Sequence, residues 1–183
     1  LRVPLLPRGG GTSQCGQTTG AALVIDTSKH LRNVIGFDKD AMTVDVEPGI
    51  VLDHLNAWFK PHGLWFPVDV STSAQATLGG MAGNNSCGSR SIAYGNMVHN
   101  VAGIDAWLAD GRLLSFGPVA ALGPAEREIA DFVRGLADAQ WMLVERLDHN
   151  FGKIHDIAVA RFRITRYARD GKTPDGAPEI LEI

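Results

Sequence analysis

The chain has 183 residues, 45% of them hydrophobic and 20% charged, proportions that suit a globular domain and exclude a disordered tract. A net charge of −3 offers no cationic field for nucleic acid or an anionic membrane. Two cysteines, Cys15 and Cys87, are too few for a secreted disulfide scaffold, and no apolar run suits a membrane span or a signal peptide. A cytoplasmic protein is expected, with no membrane span and no nucleic-acid partner, and with assembly into a homo-oligomer left open.

Residues 3–6 read as a short apolar strand that delivers the chain into a glycine-rich loop, and residues 21–26 as a second, buried strand. Residues 34–37 and 42–46 flank Asp38-Lys39-Asp40 and predict a hairpin, since Met42, Val44 and Val46 alternate with Thr43, Asp45 and Glu47. Residues 51–62 predict a helix with Leu52, Leu55, Trp58 and Phe59 on one side and Gly63 as its stop. Residues 101–108 and 112–116 predict a second hairpin around Asp110-Gly111, a pair that favours a type I′ turn. Residues 125–149 predict a helix whose stripe is Ile129, Phe132, Val133 and Leu136. Beyond Asp148 the pattern weakens. Arg161, Arg163, Arg166, Arg169 and Lys172 read as a solvated face, and the turn-forming run 171–178 as a poorly anchored end. Strands outnumber helices up to residue 120, so the fold class is α+β rather than a doubly wound alternation.

Two segments carry the chemistry. In the first, Arg8-Gly9-Gly10-Gly11-Thr12-Ser13, successive glycines can aim consecutive N–H groups at one anion, and missing Cβ atoms permit close approach of a diphosphate. Thr12 and Ser13 add hydroxyls, and Arg8 offers charge at the loop edge. No Gly-Lys-Ser/Thr follows, which removes a P-loop, and Gln14 stands where a third glycine would complete G-x-G-x-x-G. The second segment is PVDVSTSAQATLGGMAGNNSCGSRSIAYGNMVHN, residues 67–100. Its Thr77, Asn84, Asn85 and Ser89 provide uncharged donors, suited to a heterocycle edge or a sugar–phosphate chain and ill suited to a metal. An ordinary turn, or a packed loop with glycines at special angles, is the plain alternative for either segment.

The two motifs in this order resemble the FAD-binding domain of the vanillyl-alcohol oxidase / p-cresol methylhydroxylase (PCMH-type) superfamily, most of all the D-lactate, glycolate and D-2-hydroxyglutarate dehydrogenases, over residues 1–120. The resemblance implies a PCMH-type fold. Residues 1–36 would be the remnant of a first FAD-binding lobe, 37–120 a second lobe, and 121–183 a helical segment with a weakly ordered tail. It implies that Arg8, Gly9, Gly10, Gly11, Thr12 and Ser13 cradle the FAD diphosphate. Flavin and ribityl chain would be lined by Pro67, Asp69, Thr77, Gly79, Gly80, Gly83, Asn84, Asn85, Gly88, Ser89, Tyr94 and Gly95. Several relatives attach flavin covalently through a His at the first loop. Thr12 and Ser13 stand there, so noncovalent FAD is expected.

The implied activity is hydride removal from a small 2-hydroxy acid. The family's upstream βαβ piece, its glycine motif resembling G-S-E-G-T-L-G and its substrate-binding cap are not found in the sequence. A fragment or truncated product is therefore expected, with substrate recognition on the missing cap and no catalytic residue assigned. A module that holds FAD without turnover, or a reductase of the UDP-N-acetylmuramate type, are the competing readings.

The remaining constellations are weaker. His30, His54, His62, His99, His149 and His155 have no zinc spacing, so no metal is expected. Cys87 has no His or Asn at a recognisable spacing, and no G-x-S-x-G marks Ser13 or Ser86 as a nucleophile. Trp58, Trp65 and Trp107 read as packing residues.

Overall fold

The computed structural model describes residues 3–138, 159–165 and 167–168. Strand β1 (Leu5–Arg8) pairs in parallel with β2 (Leu23–Asp26), Leu5 opposite Leu23 and Arg8 opposite Asp26. The loop between them leaves the carboxyl end of β1, where open α/β sheets commonly bind their ligands. The strand expected to be buried is exposed instead: Leu23 is 57% and Val24 39% accessible. Among the described residues β2 has the single strand neighbour β1.

Next come β3 (Val34–Asp38) and β4 (Thr43–Val46), the expected hairpin. Asp38 caps its turn by accepting from the amides of Asp40 and Ala41, and Met42 takes φ 57°. The chain then turns at Pro48 and Gly49 into α1 (Leu52–Phe59), extended by a 3₁₀ turn over Lys60–His62. Gly63 ends it at φ 71°, in the left-handed region a side chain disfavours. Leu52, Leu55 and Phe59 form the buried stripe, while Phe37 meets Trp58 edge-on at 5.1 Å.

Strand β5 (Leu64–Trp65) leads to three short helices, α2 (Leu78–Gly83), α3 (Ser91–Tyr94) and α4 (Met97–Asn100). Strands β6 (Val101–Trp107) and β7 (Leu113–Phe116) form the second expected hairpin. Its turn is not type I′, which needs positive φ at two residues. Gly111 alone reaches φ 87°, its amide bonds the Leu108 carbonyl, and Leu108 bonds back to Arg112. The result is a three-residue loop closed by a glycine bulge. Trp107 at the strand end is 46% exposed rather than packed.

Helix α5 (Pro124–Asp138) starts with proline at its first position, where the missing N–H costs nothing. Its Glu126 accepts from the Ser115 amide of β7. The part of the expected helix beyond residue 138 lies outside the described residues, as does most of the expected tail.

The largest departure from expectation is β8 (Val159–Thr165), in the segment read as a helical stretch and weak tail. It lies in the middle of an antiparallel sheet of order β3-β4-β8-β6-β7, with Ile164 opposite Val44 and Ala160 opposite Ala106. Arg163 stands opposite Asp45 and Arg161 opposite Asp105. The run VARFRIT alternates with the period of a strand, and its arginine positions are in register with acidic positions on both neighbours. A last strand, β9 (Tyr167–Ala168), pairs with β5. The core lies between this sheet and the helices: Val46, Leu55, Phe59, Val68 and Leu78 are fully shielded from solvent.

Candidate FAD site

The first wall of the site is the loop after β1. Its root is fixed by the Arg8 carbonyl, which accepts from both the amide and the hydroxyl of Thr27. Arg8 donates from its guanidinium to Asp26 at 2.9 Å. Hydrogen bonds from Ser28 and from Arg8 hold the Asp26 carboxyl down at about 2. The charge offered at the loop edge is thus already paired with a carboxylate. Gly9 and Gly10 lie with their backs on the second segment: a Cβ on Gly9 would overlap the Thr77 hydroxyl, and one on Gly10 the Gln75 carbonyl. Their glycine identity is required by that packing. Among the described residues, no protein acceptor takes the N–H groups of residues 9–13.

The second wall is α2 and the turns around it. Thr77 caps α2 through its hydroxyl, accepting from the Gly80 amide at 3.3 Å. Leu78 donates to the Ile50 carbonyl and Gly79 to the Pro48 carbonyl at 2.8 Å, so the first amides of α2 are used inside the fold. The helix ends in a Schellman arrangement, with Ser86 donating to Met81, Asn85 to Ala82 and Asn85 at φ 44°. Asn85 then accepts from the Val98 amide, tying α2 to the start of α4.

Between the walls is an open cleft of about 140 Å³. All six predicted residues of the first loop line it, and from the second segment so do Thr77, Gly80 and Asn84. Arg8 is the single ionisable side chain among the lining residues; the remainder are glycines, hydroxyls, amides and a few apolar groups. Such a wall donates hydrogen bonds to an anion without carrying net charge. Among the described residues no group of three His, Cys, Asp or Glu could hold a metal.

Nine predicted residues do not line the cleft, and most have visible duties in the fold. Gly79 sits against Pro48, and a Cβ on Gly88 would overlap the Asp69 carbonyl. Asp69 accepts from the Ser89 hydroxyl at 2.6 Å and the Arg90 amide at 3.0 Å. Burial acts to raise the Asp69 carboxyl, but those hydrogen bonds prevail and lower it. Arg90 in turn stacks over Trp65 at 4.7 Å, with Tyr94 edge-on to the same ring at 5.2 Å. Gly95, at φ 75°, passes close to the His99 ring, while Pro67 is buried, Gly83 open and Asn85 engaged with α4. His99 itself accepts from the Asn96 amide in the cap of α4.

Sequence reasoning missed Gln17, Thr18, Val70, Thr72, Ala76, Met81 and Ser86, all of which line the cleft. Gln17 donates to the Asn84 side chain at 3.2 Å, bridging the walls. The uncharged polar run Ser13-Gln14 and Gln17-Thr18-Thr19 is the available signal, since it continues the donor-rich loop past its glycines.

The family model of an FAD binding domain matches residues 1–117. A D-2-hydroxyglutarate dehydrogenase of Pantoea ananatis (strain AJ13355) is 40% identical over 113 residues, 62% of this chain and 11% of that protein. One from Pseudomonas putida (strain KT2440) is 35% identical over 159 residues, 84% of this chain and 16% of that protein. The glycolate oxidase subunit GlcD of Bacillus subtilis (strain 168) is 37% identical over 119 residues, 63% of this chain and 25% of that protein. The chain therefore spans between 11% and 25% of the length of these relatives. An alkyldihydroxyacetonephosphate synthase shares the fold, with TM-score 0.63, 17% identity, 91% of this chain covered and 29% of its own. No described helix is long and apolar enough to cross a membrane. With its family model matched over most of its length, and two glycine-rich walls facing one cleft, this chain belongs to the FAD binding domain family and has FAD as its cofactor.

Proposed function

We propose that the chain is the FAD-holding part of a flavin-dependent dehydrogenase or oxidase that takes hydride from a small 2-hydroxy acid of the D-2-hydroxyglutarate, D-lactate or glycolate type. The observation that carries the reading is the row of amides at residues 9–13, which no described protein group accepts from and which belong to a loop lining a cleft shared with α2. A diphosphate supplies the acceptors those donors lack. Thr12 and Ser13 add hydroxyl donors, and Gly80 allows close approach of the ligand to α2. FAD, once bound, supplies the hydride-accepting chemistry.

Attachment is noncovalent on this reading, because no His, Cys or Tyr lies among the lining residues. Pro67, Asp69, Gly79, Gly83, Asn85, Gly88, Ser89, Tyr94 and Gly95 shape and stiffen the second wall. No lining residue is assigned as a base. That favours, as a second reading, a module that holds FAD without turnover of its own. On either reading the protein works in the cytoplasm, with no role for nucleic acid.

Absorbance of the purified chain tests both readings. Yellow protein that releases its flavin on acid precipitation, and bleaches with D-2-hydroxyglutarate, D-lactate or glycolate, supports the enzyme. Yellow protein that none of the three bleaches supports the module. Protein that stays colourless in excess FAD removes both, and flavin retained in the acid pellet overturns the noncovalent assignment.

A further inference from the structure

The one ionisable side chain on the cleft wall is tied to a carboxylate rather than left for a ligand. Arg8 and Asp26 stand opposite each other where β1 and β2 run in parallel, so their side chains leave the same face of the sheet. Asp26 is held through both oxygens. Its Oδ2 accepts from Arg8 Nη2 at 2.9 Å, and its Oδ1 accepts from the Ser28 amide at 2.9 Å and the Ser28 hydroxyl at 2.6 Å. The Arg8 backbone is fixed as well, since its carbonyl takes the amide and the hydroxyl of Thr27.

The stem of Arg8 runs beside the glycine loop: a Cβ on Gly11 would sit 3.9 Å from Arg8 Cδ. A guanidinium freed from Asp26 is therefore within a side chain's reach of residues 9–13, whose amides no described protein group accepts from. A cation there would add its attraction to a diphosphate, and a charge-assisted hydrogen bond is about twice as strong as a neutral one. Asp26 withholds that contribution. With Arg8 matched by a carboxylate at 2.9 Å, the donors left for the ligand carry no charge.

We propose that Asp26 is a positioning residue that sets the strength of FAD binding by holding Arg8 off the diphosphate, so that the loop's uncharged donors carry the grip. The proposal rests on the FAD reading above. Stability and affinity then pull apart: the pair fastens the root of the loop to β2 and weakens the hold on the ligand.

The test is FAD affinity, by titration of the purified chain at low and high salt, in wild type, in Asp26→Asn and in the double variant that adds Arg8→Gln. The ligand-free melting temperature of each is measured alongside. The proposal expects Asp26→Asn to bind FAD about threefold to tenfold more tightly while melting below wild type. A merely structural residue does not raise affinity as it lowers the melting temperature. The gain should fade in high salt. It should vanish in the double variant, whose affinity returns to within about twofold of wild type.

Unchanged FAD binding in Asp26→Asn overturns the proposal, and so does weakened binding, which would mean that Asp26 aims Arg8 at the ligand. A double variant as tight as Asp26→Asn also overturns it, by showing the carboxylate acting on the ligand directly. One more than about twofold weaker than wild type does so too, by making Arg8 a phosphate contact. Should Asp26→Asn fail to fold, wild type alone decides. An affinity that falls more than about threefold between roughly 0.05 and 0.5 M salt shows a cation engaged with the diphosphate and overturns the proposal, whereas a flatter response sustains it. In each of these outcomes the FAD reading stands. Wild-type chain that takes up no FAD removes both proposals together.

Discussion

The two glycine-rich segments share a composition and differ in where their backbone donors go. Around α2 the fold uses them: Leu78, Gly79, Met81, Asn84, Asn85 and Ser86 all donate to named carbonyls. In the loop after β1, residues 9–13 donate to no described protein group. A glycine records that something must come close to the main chain without saying whether that is protein or ligand. The hydrogen-bond inventory makes that distinction. The second segment's donors are mostly spent inside the fold, and those of the first are left over.

That contrast can be broken or sharpened by mutation, beginning with the scaffold. Gly88→Ala should cost about 3 kcal/mol or more, because its methyl overlaps the Asp69 carbonyl, a backbone group with no easy retreat. Denaturant unfolding measures this, and a near-neutral result would mean the second segment is looser than its bonding implies.

Asn100→Ala comes next. Asn100 is fully buried and donates to the carbonyls of Tyr94 and Asn96, so about 2 kcal/mol should be lost with those two hydrogen bonds.

Acid probes the root of the first segment. Asp26 is held at about 2 against an ordinary 3.8, so its contribution is complete above the ordinary value and disappears as pH falls through the lower one. Asp26→Asn should flatten the acid limb of stability in that window by about 1 kcal/mol, screening by solvent included. A limb identical to wild type would show that the Arg8–Asp26 contact does not anchor the loop.

The smallest effect belongs to the ligand side. Thr12→Ala should weaken FAD by about threefold to tenfold with an unchanged ligand-free melting temperature. A drop in that temperature would assign Thr12 to the scaffold and erase the contrast.

Local features of the fold were legible in the sequence. The β3–β4 hairpin follows from alternation around Asp38-Lys39-Asp40, and α1 follows from its apolar stripe and the left-handed stop at Gly63. The Asp110-Gly111 signal gave the right hairpin with a different turn, because one glycine supplies one positive φ. What depended on distant partners was not legible. β2 reads as a buried strand from its apolar residues, yet burial depends on what packs over it. β8 reads as surface because of Arg161 and Arg163, and its partners at Asp45 and Asp105 are far away in the chain. At the cleft, all six residues named from the first loop lie along its wall. Of the twelve second-segment residues named, Thr77, Gly80 and Asn84 reach the cleft. Gln17 was missed because a glutamine past a glycine run has no spacing rule to mark it.

The placement of β8 between β4 and β6 bears on how this polypeptide is made. A ribosome releases Thr43 long before Thr165, yet the two end side by side. Until the later stretch emerges, the inner margins of β4 and β6 face each other without the ribbon that joins them, two adhesive borders awaiting one insert. Closure of the sheet is thus a late event in biosynthesis, set by loop closure over much of the polypeptide rather than by local preference. Truncation or a stall upstream of residue 159 would leave the nascent protein with raw strand margins that invite chaperones or aggregation.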